Sequence, residues 1–206
     1  MAMDVRMSPL STRVLSWPMA PSHCGWAMER AASPPPSSSP ISVGKSPLAI
    51  IASDVNNDGK PDLITANRDS NSISVILASS PAGSFAAPVS VTVGTGPYSL
   101  AGGDLNGDGR IDLAVANSIS NNVSVLLGNG QGGFGPATSV SVGQTPLAVV
   151  MVDVDGDTKL DLVTANNGSN SVSILVGDGL GGFAPALSIP VGSKPFSVAH
   201  GDVNRV

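Results

Sequence analysis

The sequence predicts an all-β protein, an incomplete β-propeller of about three four-stranded blades followed by the start of a fourth. Three observations carry this. A string of Asp and Asn residues begins at residues 54, 104 and 153, a period of 50 and then 49 residues. The segments between the strings are short, rich in β-branched residues and bounded by Gly, Pro, Asn or Ser. No helical periodicity or capping pattern competes with them. Four short strands in each unit of about 50 residues are the signature of a propeller blade.

Residues 1–40 stand apart from this pattern. They hold both Trp, the single Cys24 and five of the six Met, and run into Ser33-Pro-Pro-Pro-Ser-Ser-Ser-Pro40. That composition predicts a disordered Pro/Ser-rich leader. From Ile41 the chain divides into copies at 41–90, 91–139 and 140–188, with a partial copy at 189–206. Each opens on Val-Gly-x-x-Pro, at Val43, Val93, Val142 and Val191. An apolar strand follows, such as Leu48–Ala52, and then the acidic loop. The next strand ends in Ala-Asn (Ala66-Asn67, Ala116-Asn117, Ala165-Asn166). A polar turn leads to an alternating strand such as Val123-Ser-Val125-Leu-Leu127, and a Gly-rich turn delivers Phe85, Phe134 or Phe183 toward the last strand. With aromatics at 3% of the chain, the core has to be built from Val, Ile, Leu and Ala.

The acidic loops place oxygen-bearing side chains at positions 1, 3, 5 and 9. Loop 1 offers Asp54, Asn56, Asp58 and Asp62; loop 2 offers Asp104, Asn106, Asp108 and Asp112; loop 3 offers Asp153, Asp155, Asp157 and Asp161. Alternate residues of a tightly curled loop point inward, and a hard cation such as calcium takes six to eight oxygens. The backbone carbonyls at position 7, on Lys60, Arg110 and Lys159, would add a ligand to each loop. Gly at position 6 supplies the left-handed turn. About three calcium ions are therefore expected. An ordinary Asn-Gly or Asp-Gly turn explains one such string without metal, but not three with Asp kept at position 9. An EF-hand would need Glu at position 12, where this chain has Thr65, Val115 and Thr164. Loop 3 departs in having Thr158 at position 6, where a β-branched side chain resists positive φ. A fourth loop begins at Asp202-Val-Asn204 and the sequence stops at Val206.

This pattern resembles the FG-GAP repeats, also called VCBS repeats, of bacterial surface proteins and of the integrin α-subunit amino-terminal domain. The resemblance covers residues 41–204. It rests on Asp-x-Asn/Asp-x-Asp-Gly-x-x-Asp-Leu and on Phe134-Gly135-Pro136, with the variants Phe85-Ala-Ala-Pro88 and Phe183-Ala-Pro185. It implies a seven-bladed propeller in which calcium stiffens loops within blades and the surface binds protein or carbohydrate. An extracellular or cell-surface location follows from the same resemblance, although no clear signal peptide opens this chain.

Composition excludes other classes. Ten of the 15 acidic residues sit in the three loops, so three divalent ions would turn the formal charge of −5 into +1. The ten Lys and Arg are scattered, which argues against nucleic acid. Cys24 has no partner for a disulfide, and beside His23 it offers only two soft ligands. No apolar run approaches the roughly 20 residues of a membrane span. No Ser lies in a nucleophile elbow with a base histidine, and His200 stands at a variable strand-end position, so no enzyme is expected. The expected function is a calcium-binding, non-catalytic module for adhesion or ligand binding. The alternatives are a lectin-like propeller, for which the repeats offer few stacking aromatics beyond Tyr98 and the repeat Phe residues, or a spacer in a larger secreted protein such as a hydrolase or lyase. Three blades do not close a ring, so further blades or self-association are expected to cover the open edges.

Overall fold

The computed structural model describes residues 40–80 and 83–201. The leader assigned to residues 1–40, including His23 and Cys24, lies outside the described residues except for its last position, as does the fourth acidic string from Asp202. Three four-stranded antiparallel sheets follow one another along the chain. Blade 1 contains β1 (Pro47–Ser53), β2 (Asp62–Asn67), β3 (Ser72–Ile76) and β6 (Val89–Thr92), paired in that order. Between β3 and β6 lies a two-residue pair, β4 (Ala78–Ser79) with β5 (Ser84–Phe85). Blade 2 contains β7 (Pro97–Gly103), β8 (Asp112–Asn117), β9 (Asn122–Leu126) and β10 (Thr138–Ser141). Blade 3 contains β11 (Pro146–Val152), β12 (Asp161–Asn166), β13 (Ser171–Leu175) and β14 (Leu187–Pro190). The only helix among the described residues is a 3₁₀ turn at Arg68–Ser70. This is the incomplete propeller read from the sequence, with the copy boundaries falling inside the last strand of each sheet.

The register explains the Val-Gly-x-x-Pro signature. Each first strand shifts register just after its proline, between Pro47 and Ala49, Pro97 and Ser99, and Pro146 and Ala148. Proline has no N–H to give to the ladder, so pairing resumes beyond it. The glycine three residues earlier is required by a close approach. A Cβ on Gly94 would lie 2.5 Å from Asn117 Nδ2, and one on Gly143 would lie 2.6 Å from Asn166 Nδ2. The Asn ending each second strand is thereby pinned over the next strand, where its Nδ2 donates to Ser74, Ser124 or Ser173 at 2.9 Å.

The core lies between blades. Alternate residues of β8 point to opposite neighbours: Leu113 and Val115 pack with Ile64 and Val75 of blade 1, while Ala114 and Ala116 pack with Leu162 and Leu175 of blade 3. A strand buried on both faces reads as a nearly continuous apolar run, which is why no clean alternation marks these second strands. Phe134 and Phe183 pack partly buried against the two inter-blade cores.

Neighbouring blades are tied by a left-handed Asn. Asn71, Asn121 and Asn170 have φ between 51° and 56°. Their side-chain oxygens accept from Gly96 N (2.9 Å), Thr145 N (2.8 Å) and Lys194 N (2.8 Å) of the following copy. The third of these ties, with Val191 N donating to the Asn170 carbonyl at 2.9 Å, sets the fourth copy in register. Its residues 191–201 form no strand. Phe196 meets Tyr98 edge-to-face, with ring centroids 6.1 Å apart.

Candidate metal-binding loops

Each acidic loop joins the first and second strands of its blade. The folding of the loop follows from its own side chains. The position-1 carboxylate gathers backbone N–H groups across the curl: Asp54 accepts from Asp58 and Gly59 (3.1 and 2.8 Å), and Asp104 from Gly107, Asp108 and Gly109 (2.8, 3.1 and 2.8 Å). In loop 3, Asp153 accepts from Gly156 and Thr158 at 2.7 and 2.8 Å. Position 3 accepts from the N–H of position 5, through Asn56 (3.0 Å), Asn106 (3.1 Å) or Asp155 (3.2 Å). Position 5 accepts from the N–H of position 7 at 2.9 Å in all three loops. Short Asp and Asn side chains that bond two to five residues onward are what fold such a turn.

The left-handed position is occupied in every copy. Gly59 and Gly109 have φ of 81° and 78°, and Thr158 takes 71°. The strained conformation anticipated for Thr158 is therefore adopted, without rearrangement of the loop. Position 4 is left-handed as well, at Asn57, Gly107 and Gly156. The choice of Asn, Gly and Gly there was a legible signal for this second positive φ.

Position 9 differs in kind from the others. Asp62, Asp112 and Asp161 are completely buried at the start of the second strand. Each carboxylate bridges two backbone segments. Asp62 accepts from Val55 N (3.0 Å) and Ala78 N (2.7 Å), Asp112 from Leu105 N (2.9 Å) and Gly128 N (2.7 Å), and Asp161 from Val154 N and Gly177 N (both 2.8 Å). Burial pushes the Asp112 carboxyl above the usual range, against the pull of its two N–H donors, and the charges of Asp108 and Asp104 push it the same way. The position-5 carboxylates sit in the opposite environment. Asp58 is held below the usual range chiefly by the Lys60 N–H, and Asp157 chiefly by the Lys159 ammonium. The position-7 side chains pair with position 5 in all three loops: Lys60 with Asp58 at 3.2 Å, Arg110 with Asp108 at 3.5 Å, Lys159 with Asp157 at 2.7 Å.

Of the predicted ligands, the structure gathers three side chains of loop 3 and leaves Asp157 outside that group, paired with Lys159. In loop 3, carboxylate oxygens of Asp153, Asp155 and Asp161 lie within 4.8 Å of one another. Among the described residues this is the one such group of acidic side chains, since loops 1 and 2 carry an amide oxygen at position 3. The donors are all oxygen, the set that suits a hard cation such as calcium and not a soft one. Beside loop 3 a cleft of about 270 Å³ opens toward loop 2, bounded by Asp104, Gly107, Thr158, Lys159 and Asp178. His200 is exposed on the far side of blade 3, beside Val198 and Ala199. Among the described residues, no helix is long and apolar enough to cross a membrane.

Comparison with known proteins agrees with this architecture. No curated protein matches this chain. Of solved structures, a chain of hydrazine synthase from Kuenenia stuttgartiensis superposes over 76% of this chain at 18% identity and a TM-score of 0.52. A lectin from Agrocybe aegerita that recognises non-reducing terminal N-acetylglucosamine matches over 72% at 22% identity and a TM-score of 0.45. The present chain spans only 39% of either matched chain, and at these identities the likeness to hydrazine synthase is one of fold alone. The FG-GAP-like repeat model matches residues 54–115, 104–164 and 153–205, each match beginning on the first Asp of an acidic loop. Those consecutive matches cover most of the chain, which belongs to the FG-GAP-like repeat family.

Proposed function

We propose that this protein is a calcium-stabilised, non-catalytic binding module that acts outside the cell. The observation that carries the calcium reading is the convergence of the Asp153, Asp155 and Asp161 oxygens in loop 3, in a string that recurs in loops 1 and 2. Asp54, Asn56, Asp58 and Asp62 would hold the ion of loop 1, and Asp104, Asn106, Asp108 and Asp112 that of loop 2, with the carbonyls of Lys60, Arg110 and Lys159 as further oxygens. A bound ion supplies positive charge that offsets the crowding of carboxylates and so stiffens the loop against its blade. Affinity in the range of extracellular modules, about 0.1–1 mM, is expected.

The binding role rests on the family. Extracellular calcium is abundant enough to fill sites of that affinity. A protein ligand is favoured over a sugar stacked on an aromatic ring, because aromatics are only 3% of the chain and Phe134 and Phe183 are taken up by the inter-blade cores. Melting the protein in chelator and in millimolar calcium tests the first half of this reading. A calcium-dependent rise in melting temperature with three sites by calorimetry is the expected result. Identical melting curves would end it. A glycan array run beside a panel of extracellular matrix proteins tests the second half, and retention on sugars alone would reverse the preference for protein.

A further inference from the structure

The two open faces of the blade stack are the two halves of a single interface. Each blade presents one face to the blade before it and the other to the blade after it. On the first kind of face, Leu100 and Val149 are 6% and 4% exposed because the preceding blade covers them; Ile50, at the same repeat position in blade 1, is 59% exposed. Leu48 beside it is 47% exposed and Ile41 is 37% exposed. On the second kind of face, Val55 and Leu105 are each 2% exposed under the following blade, whereas Val154, their counterpart in blade 3, is 44% exposed. Val163, 8% exposed, and half-buried Ile174 lie on the same face of blade 3 beneath the segment 198–201, at the repeat positions that Ile64 and Val75 hold in the core between blades 1 and 2. What fits against blade 1 is therefore a surface of the kind blade 3 carries, and the converse holds equally.

We infer that the chain associates head to tail, the open face of blade 3 in one copy packing on the open face of blade 1 in the next. The contact repeats an interface that the fold already forms twice internally, with aliphatic side chains at matching repeat positions and no buried charge to pair. Residues 198–201 lie along the blade 3 face, and Val198 holds the repeat position of Ile50. That segment forms no strand, while β1 is paired with β2 from Pro47 to Ser53. In the association, β1 of the second copy takes the place of this unpaired segment. Such a contact is heterologous: it leaves one free face of each kind at the ends of any chain of copies, so growth continues until a ring closes.

The test is complementation by sedimentation velocity. Ile50→Lys and Val154→Lys each place a charge on one face, at positions exposed enough for the monomer to fold. The wild-type chain should sediment as a concentration-dependent series of oligomers and each variant alone as a monomer. An equimolar mixture of the two should give a 1:1 dimer and nothing larger, because each variant retains the face that the other lost. Val89→Lys, at an equally exposed apolar residue on the outer strand β6, should leave the oligomer series unchanged. Cooperative melting of each single variant shows that loss of association is not loss of fold. Monomeric wild type overturns the inference, as does a mixture of folded variants that stays monomeric. Abolition by Ile50→Lys with no effect of Val154→Lys would mean a symmetric face-to-face dimer and would overturn it as well.

Discussion

Two aspartates in the same loop have different jobs, and the difference is visible in what each carboxylate touches. Asp108 is exposed and bonds only within its own loop, whereas Asp112 is buried and receives N–H groups from Leu105 and Gly128, on either side of β8. Asp108→Ala should remove one calcium site and leave the melting temperature in chelator almost unchanged. Asp112→Ala should lower stability even in chelator, since each buried N–H it abandons costs roughly 1–3 kcal/mol. Equal melting of the two variants in chelator would show that position 9 is a ligand only. At position 6 of loop 3, Thr158 holds a φ of 71°, a conformation costing an L-residue about 1 kcal/mol or more. Thr158→Gly releases that strain and should tighten the loop 3 site about fivefold, the ratio corresponding to that energy. An unchanged or weaker site by calorimetry would mean that the threonine conformation is not limiting.

Within a blade, the second and third strands are locked by a polar pin that varies in one copy. Asn67 and Asn166 are buried, and their side-chain oxygens accept from Thr65 Oγ1 (3.0 Å) and Thr164 Oγ1 (2.9 Å). In blade 2 the corresponding residue is Val115, and Asn117 Oδ1 is left buried with no partner among the described residues. A valine supports the apolar contact with blade 1 but cannot donate. Val115→Thr should supply the missing bond in nearly the same volume and raise stability by about 1 kcal/mol. Thr164 is itself fully buried against blade 2, so a hydroxyl is tolerated at this depth. A drop in melting temperature would mean that the apolar contact outweighs the bond.

Across the whole molecule, most of the negative charge is concentrated in three places that protonate differently. The Asp112 carboxyl is raised above its usual value by burial, while Asp58 and Asp157 are held below it. A raised carboxyl takes up its proton earlier as pH falls, and that proton competes with the ion. As pH is lowered from neutrality toward 4, loop 2 should therefore release its calcium before loops 1 and 3, as counted by equilibrium dialysis. Without metal the linkage has two signs. The folded state gains from protonation of Asp112 as pH falls through its raised value toward the unfolded one. The contributions of Asp58 and Asp157 are present above the unfolded value and are lost as pH falls through their lowered ones. Simultaneous release of all three ions would show that the loops do not differ in this way.

The local features of this protein are properties of its sequence. The repeat period, four strands per blade, the curl of the acidic loops and the left-handed glycine at their sixth position all arise between residues close in the chain. They were legible because short Asp and Asn side chains, Gly and Pro act on backbone only a few residues away. The resemblance to FG-GAP repeats was legible for the same reason. What the tertiary structure decided involves partners roughly 16 to 30 residues apart, or one blade away. The double N–H capture by Asp62, Asp112 and Asp161 depends on bringing the end of the third strand back beside the loop. The glycine of Val-Gly-x-x-Pro is explained only by the Asn that crosses over it from another strand. The position of each hydrophobic face depends on its neighbour, so Ile50, Leu100 and Val149 look equivalent as letters and differ in burial once the blades are stacked. A strand covered on both sides carries no alternation to say which residue faces which blade, and that assignment exists only after packing.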